Sequence, residues 1–321
     1  MKEYIGMKEK KESKSQQGNF SKTEEIFCPI CNSNKNRILF SAKDRAYDLP
    51  GYFPVRKCNQ CNLVYLSPRP TNDVLHLYYP RGEYFHIGKN ISTENVDTSK
   101  KVTRLGHFVR VLKQVGYNYQ NGYRGIILKI TRIFYFIFQK YLLRLPHFRV
   151  PKYIVGGKLL EIGFGEGKAL KRFRLDGWNI AGADIDKDCC EYAKRVLKVA
   201  VLEMNGSNIN TSDNSFDVIY LSQTFEHLPD PIASLNEYYR VLKEDGQLIM
   251  EFPNFACKQA KRWKSEWRGL EVPRHLFFYT PKTALMMLEK VGYHDIQVMP
   301  VCISHYDLFL GSVPPTIKNN L

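Results

Sequence analysis

From Lys158 onward the apolar positions alternate between two spacings. Lys158–Ile162 is a short apolar run of the kind a buried strand carries, and residues 168–176 place Ala169, Leu170 and Phe173 at helical intervals. The alternation continues as strand 178–184, helix 187–197, a short strand near 199–202 and a buried strand at 216–222. Helix 231–243, strand 247–253, helix 281–293 and strand 295–301 complete it. Strands and helices in this order predict an α/β fold, a mostly parallel sheet with helices on both faces. Upstream the pattern changes. Residues 1–22 are polar and read as a mobile tail, and 23–80 hold short β-rich runs at Arg37–Ser41, Phe53–Lys57 and Leu63–Leu66. Residues 81–150 read as a connector, helical over 126–143, followed by the α/β domain at 151–305 and a C-terminal tail at 306–321.

Length adds room for these units: 321 residues, 44% hydrophobic, suffice for more than one domain. Charge adds a local feature. Of the net +15, ten Lys or Arg without a single acid lie in 101–150. Three readings of that segment stand side by side: a helical connector packed on the protein's own domain, a peripheral helix on the cytoplasmic membrane face, or a phosphate-binding arm for nucleic acid. Lys129, Arg132 and Lys140 interrupt the apolar run and argue against a spanning helix. Ile and Leu interleave with the aromatic residues, which disfavours nucleic acid. No apolar signal segment follows Met1, which predicts a cytoplasmic protein.

Eight cysteines in such a chain suggest metal ligands or free thiols before disulfides. Cys28, Cys31, Cys58 and Cys61 form two C-x2-C pairs within the β-rich unit, the spacing of a zinc ribbon whose four thiolates enclose a structural Zn²⁺. Asn32 and Asn62 follow the second cysteine of each pair, and Asn tolerates the left-handed turn required there. Cys189, Cys190, Cys257 and Cys302 are scattered and read as buried or inert.

The candidate chemistry lies in "EIGFGEGKA". Gly163, Gly165 and Gly167 sit between a strand and a helix, where backbone approaches a ligand closely. The spacing does not fit a dinucleotide fingerprint, since Lys168 or Leu170 falls where Gly or Ala is needed. Nor does it fit a phosphate P-loop, because Ala169 replaces the metal-binding hydroxyl. What remains is E-x-G-x-G-x-G, with Asp184 ending the next strand. This resembles the S-adenosylmethionine site of Rossmann-fold methyltransferases. The resemblance extends in order through "AGADIDKDCCEYAKR", "SFDVIYLSQTFEHLPDP", "RVLKEDGQLIMEFPN" and "RHLFFYTPKTALMMLEKVGY".

The resemblance implies S-adenosylmethionine as cofactor. Glu161 would face its ammonium, Gly163, Gly165 and Gly167 its methionine and ribose, and Asp184 both ribose hydroxyls. Ile185, Asn205, Gly206 and Gln223 complete the implied cofactor set, with Asn205 standing where the family commonly has Asp. Asp186 reads as a helix cap and Asp217 as structural. Gln223, Thr224, Glu226, His227, Asn254, Trp267, Arg274 and His275 are candidates for the acceptor side. His227 and His275 are the candidate catalytic residues, and Arg274 would bind an anionic acceptor or serve as an ordinary paired arginine. Residues 27–70 resemble the zinc-binding front module of bacterial methyltransferases of sugar and cell-surface polysaccharide pathways. A small-molecule or glycan-type acceptor follows from that resemblance. The alternatives are an RNA methyltransferase and a non-catalytic S-adenosylmethionine-binding scaffold.

Overall fold

A computed structural model describes residues 20–80, 151, 154–303 and 306–313. The connector 81–150, with its expected helix and its membrane or nucleic-acid contacts, lies outside the described residues. No described helix is long and apolar enough to cross a membrane.

Three antiparallel strands, β1 (Asn36–Ala42), β2 (Phe53–Cys58) and β3 (Val64–Leu66), form the N-terminal unit. The larger part begins with β4 (Lys158–Ile162), α1 (Lys168–Leu175), β5 (Asn179–Ala183), α2 (Lys187–Tyr192) and β6 (Ala200–Leu202). It continues through β7 (Phe216–Ser222), α3 (Pro231–Val241), β8 (Leu242–Pro253) and α4 (Lys258–Trp263). Last come β9 (Phe277–Phe278), α5 (Pro281–Val291), β10 (Gln297–Ile303) and β11 (Tyr306–Val313).

The main sheet has the order β10-β11-β8-β7-β4-β5-β6, with the five strands from β8 to β6 parallel. Leu159, Leu160, Val218, Ile219, Leu221, Leu248 and Met250 are fully buried, as expected of strands covered on both faces. Chain order reverses beside β4: β5 and β6 lie to one side, β7 and β8 to the other. In such sheets the ligand crevice lies outside the carboxyl ends at this reversal.

The expected caps and structural acids are present. The Asp186 side chain accepts from Cys189 N–H at 2.8 Å and opens α2. Asp217 accepts from Lys158 N–H and from the Lys243 ammonium, each at 2.8 Å, tying β7 to the start of β4 and to β8.

Four departures from the sequence reading stand out. The tail 306–321 contains β11, which pairs antiparallel with β8 and with β10. Without this hairpin β8 would present an open edge, a liability that paired strands remove. The tail 1–22 also ends in order: the Phe20 ring meets Tyr78 edge-on at 5.1 Å, and Lys22 pairs with Asp73. Helix 231–243 stops at Val241, and Leu242 already pairs with Phe216 as strand. Finally, the N-terminal unit is not a free-standing module. β9, from the far end of the chain, adds a fourth strand to its sheet by pairing with β3. Residues of both parts share one apolar core, from Val55, Leu63 and Tyr65 through Phe252, Phe277 and Tyr279. A module with so small a core gains stability by sharing one.

Candidate active site

The glycine loop leaves β4 and enters α1 with Gly163, Gly165 and Gly167 all at positive φ, +66°, +51° and +68°. Close approach is not only to a ligand. A Cβ at Gly163 would stand 2.5 Å from the Thr224 side chain, and one at Gly167 would strike Leu197. Gly182 in β5 is required in the same way, since a Cβ there would lie 2.6 Å from the buried Phe164 ring. The loop is therefore shaped by its own fold as well as by what it receives.

Asp184, at the end of β5, is 8% exposed and accepts from Gly165 N–H and Asp186 N–H, each at 2.9 Å. Burial holds its carboxyl above the usual range, and the two N–H donors oppose that shift. A carboxylate has about four acceptor sites, so two remain for a vicinal diol. Ile185 beside it is 81% exposed, an apolar side chain without a protein partner surface. Gly206 has φ +61° and open space at its Cβ position. The Asn205 side chain lies outside the described residues; its backbone pairs with Asn208. Gln223 is exposed, holds φ +54°, and donates its N–H to Glu251 O at 2.7 Å.

Glu161 in β4 is buried, with Oε2 lacking any hydrogen-bond donor. Burial, with the Asp184 charge adding to it, pushes its carboxyl up to about 8. A native state that keeps a proton the unfolded chain releases is favoured at low pH. This contribution is full below about pH 4.5 and is lost as pH rises to about 8. Melting curves of ligand-free wild type and Glu161→Gln are therefore expected to diverge from about pH 5 to about pH 8, wild type losing stability relative to the variant. Parallel curves would show that Glu161 does not titrate in this window.

Beyond β7, Phe225–His227 forms a single helical turn that carries two acceptor-side candidates. Glu226 is 1% exposed and neither carboxylate oxygen has a hydrogen-bond donor. Burial pushes it up to about 7, and the charge of His275 draws it back. His275 lies with Nε2 3.2 Å from Glu271 and 3.8 Å from Glu226, and its Nδ1 is 3.0 Å from Gly269 O. Burial opposes its charge, yet the two carboxylates prevail and raise its pKa. Both nitrogens of the buried ring are thus engaged inside the protein, which argues against a base role for His275; it stands beside His227, whose ring it meets edge-on at 4.6 Å. Burial, and then the His275 charge, push His227 down to about 3, so it stays neutral. Glu226, His227 and His275 each offer one ligand atom, all within 4.8 Å. His275 already spends both nitrogens on Gly269 and Glu271, while the two Glu226 oxygens stay without a donor.

Of the two readings of Arg274, the structure shows the paired arginine. It is 0% exposed and pairs bidentately with Asp44 at 2.7 and 3.0 Å, so it cannot meet an acceptor. Asn254 is buried and caps its own turn through Ala256 N–H, and Trp267 is buried against Phe255. Sequence reasoning missed Tyr79, whose hydroxyl lies 2.9 Å from His227 Nδ1, and Glu271, which holds His275. Neither carries a local signal.

The four N-terminal cysteines converge. Cys28 and Cys61 sulfurs lie 3.3 Å apart, Cys31 and Cys58 3.5 Å, and all four fall within 4.8 Å. Asn32 and Asn62 take φ +54° and +66°, and donate N–H to Cys28 O and Cys58 O. Burial raises Cys28 and Cys61, the latter to about 11. It also opposes ionisation of Cys58, but N–H donors from Cys61 and Gln60 bring that thiol down to about 7.

A glycine loop, a diol-ready carboxylate and an exposed apolar residue at the sheet's reversal define a protein that binds a nucleoside-bearing cofactor. The methyltransferase-domain family model matches residues 133–298, more than half of the chain, and the chain belongs to that family. It is an S-adenosylmethionine-dependent enzyme. The chain is similar to an uncharacterized protein of Methanocaldococcus jannaschii, 26% identical over 157 residues, 49% of this chain and 74% of that one. It is also similar to a ubiquinone biosynthesis O-methyltransferase of Actinobacillus pleuropneumoniae, 22% identical over 44% of this chain and 70% of the relative. Among solved structures, a SAM-dependent methyltransferase from Aquifex aeolicus is 24% identical over 50% of this chain and 82% of its own, with TM-score 0.41.

Proposed function

We propose that the chain methylates a hydroxyl of a small-molecule, sugar or glycan-type acceptor, with His227 taking the acceptor's proton. The observation that carries this reading is a neutral histidine in the turn just beyond the carboxyl end of β7, at the end of the sheet where β5 ends in Asp184. The residues fit S-adenosylmethionine: Asp184 retains acceptor capacity for the ribose, the orphaned Glu161 oxygen suits an ammonium, and Ile185 offers an apolar face to a base. When bound, the cofactor supplies an electrophilic sulfonium methyl. Burial disfavours the charged ring, so His227 takes the proton late, once the forming oxygen–carbon bond has made that proton strongly acidic. Glu226 and Glu271 hold His275 in place.

The relatives support a small acceptor: the similarities include the ubiquinone biosynthesis O-methyltransferase and a phosphoethanolamine N-methyltransferase of Triticum aestivum, the latter 23% identical over 148 residues. The likeness of residues 27–70 to front modules of sugar-pathway methyltransferases points the same way. Four converging sulfurs, three buried and that of Cys31 partly so, also suit a structural Zn²⁺, which would neutralise thiolates that burial otherwise disfavours.

The test uses purified full chain, methyl-labelled S-adenosylmethionine and fractionated host extract. Label is expected in nucleotide-sugar, lipid–glycan or other small-molecule fractions, and is expected to vanish with His227→Ala. Label in RNA would overturn the acceptor class. Absence of label with intact cofactor binding would favour a scaffold. Elemental analysis of the same preparation should give about one zinc per chain, lost in Cys28→Ser/Cys61→Ser; metal-free, folded wild type would sink the zinc reading.

A further inference from the structure

The N-terminal unit reaches the acceptor side through two contacts on a single atom. His227 Nδ1 lies 2.9 Å from the Tyr79 hydroxyl and 3.1 Å from the Arg274 carbonyl. Tyr79 closes the short helical segment that follows the β-rich unit. Arg274 belongs to the far end of the chain, but its side chain is held by the N-terminal unit. Asp44 clamps its guanidinium on two nitrogens, the Tyr78 carbonyl accepts from it at 3.0 Å, and the Tyr47 ring lies 5.0 Å beneath it. The backbone beyond is fixed as well: Leu276 O accepts from Leu66 N–H, and β9 then joins β3.

We propose that the cysteine-bearing unit is an internal positioning scaffold for His227, with Tyr79 and the Arg274 carbonyl keeping the ring proton on Nδ1 so that Nε2 faces the acceptor. The inference rests on the reading of His227 as the proton acceptor. A carbonyl oxygen only accepts, so its place beside Nδ1 requires a proton there; otherwise two lone pairs would oppose each other at 3.1 Å. The Tyr79 hydroxyl accepts from the same N–H and turns its own proton elsewhere, a freedom the carbonyl lacks. The second nitrogen of a neutral imidazole is then the basic one. Burial and the nearby His275 charge keep a second proton off the ring. Tyr79 and Arg274 are thus positioning residues, acting on the acceptor only through His227.

The role separates this unit from a docking platform for nucleic acid or protein. It makes the histidine's tautomer depend on residues contributed from 148 and 47 positions away in the chain.

The experiment uses the full chain with ¹⁵N-labelled histidine rings, read by long-range proton–nitrogen correlation at neutral pH, with His227→Gln assigning the signal among eight histidines. The expected wild-type spectrum has a protonated Nδ1 and an unprotonated Nε2. Tyr79→Phe should move the Nδ1 signal, through loss of one of its two acceptors, while the Arg274 carbonyl keeps the proton on Nδ1 and affinity for S-adenosylhomocysteine stays within about twofold. A proton on Nε2 in wild type overturns the proposal, as does a Tyr79→Phe spectrum that superimposes on wild type. Should Tyr79→Phe fail to fold, the wild-type tautomer decides alone. Because no methyl transfer is measured, a wrong acceptor class leaves this result intact and is recognised separately.

Discussion

Asp184→Ala is expected to weaken S-adenosylhomocysteine binding by a hundredfold or more while the protein stays folded. Hydrogen bonds to a charged group contribute about 1.5–3 kcal/mol each, and two ribose hydroxyls are at stake, so the loss is about 3–6 kcal/mol. The loop itself adds to the effect. Asp184 holds Gly165 N–H at 2.9 Å, and without that acceptor the glycine turn loses the contact that ties it to the end of β5. Global stability should change little, because burial already disfavours this carboxylate in the free protein. Asp184→Asn keeps an acceptor for Gly165 but loses the charge, and should fall between wild type and Ala. Calorimetric titration of the three proteins measures this directly. Binding by Asp184→Ala within about threefold of wild type would remove the carboxylate from the cofactor site.

The second large effect concerns the fold. Asp44→Ala removes the bidentate counter-charge of an Arg274 guanidinium that is 0% exposed. Breaking a buried pair from one side costs about 3–5 kcal/mol, because an uncompensated charge remains inside. At roughly 2–4 °C per kcal/mol for a domain of this size, the midpoint should drop by about 10 °C. Asp44→Leu with Arg274→Met should recover most of that loss, since two apolar side chains remove both charges together. Thermal melts of the single and paired variants decide the point. A single-variant loss below about 1 kcal/mol would mean that water reaches the pair. The N-terminal unit and the main sheet should also melt in one transition, as they share one core through β9.

Regular elements were legible because their signals are local. The strand at 216–222 was read at its full extent, since a run buried on both faces needs no partner to be recognised. The glycine loop was legible because its positive φ values restrict residue type, and Asp184 because the loop and the strand after it resemble a known cofactor site. The paired cysteines were legible by their spacing, and the asparagines after them by the same restriction on φ. Two-residue β9 carries no period at all, and β11 ends in Gly311-Ser312-Val313 before two prolines, which weakens its alternation.

The acceptor side shows where local reading stops. Arg274 looks the same in sequence whether it meets solvent, substrate or Asp44, and Asp44 lies 230 positions away. His227 and His275 were found as residue types, but their pKa values move in opposite directions: burial lowers that of His227, whereas two carboxylates outweigh burial and raise that of His275. Periodicity and backbone restriction act over a few residues, so the chain alone specified its strands, its turn glycines and its cysteine pairs. Protonation, pairing and exposure depend on which distant groups share a dielectric environment, and only the packed fold decided those.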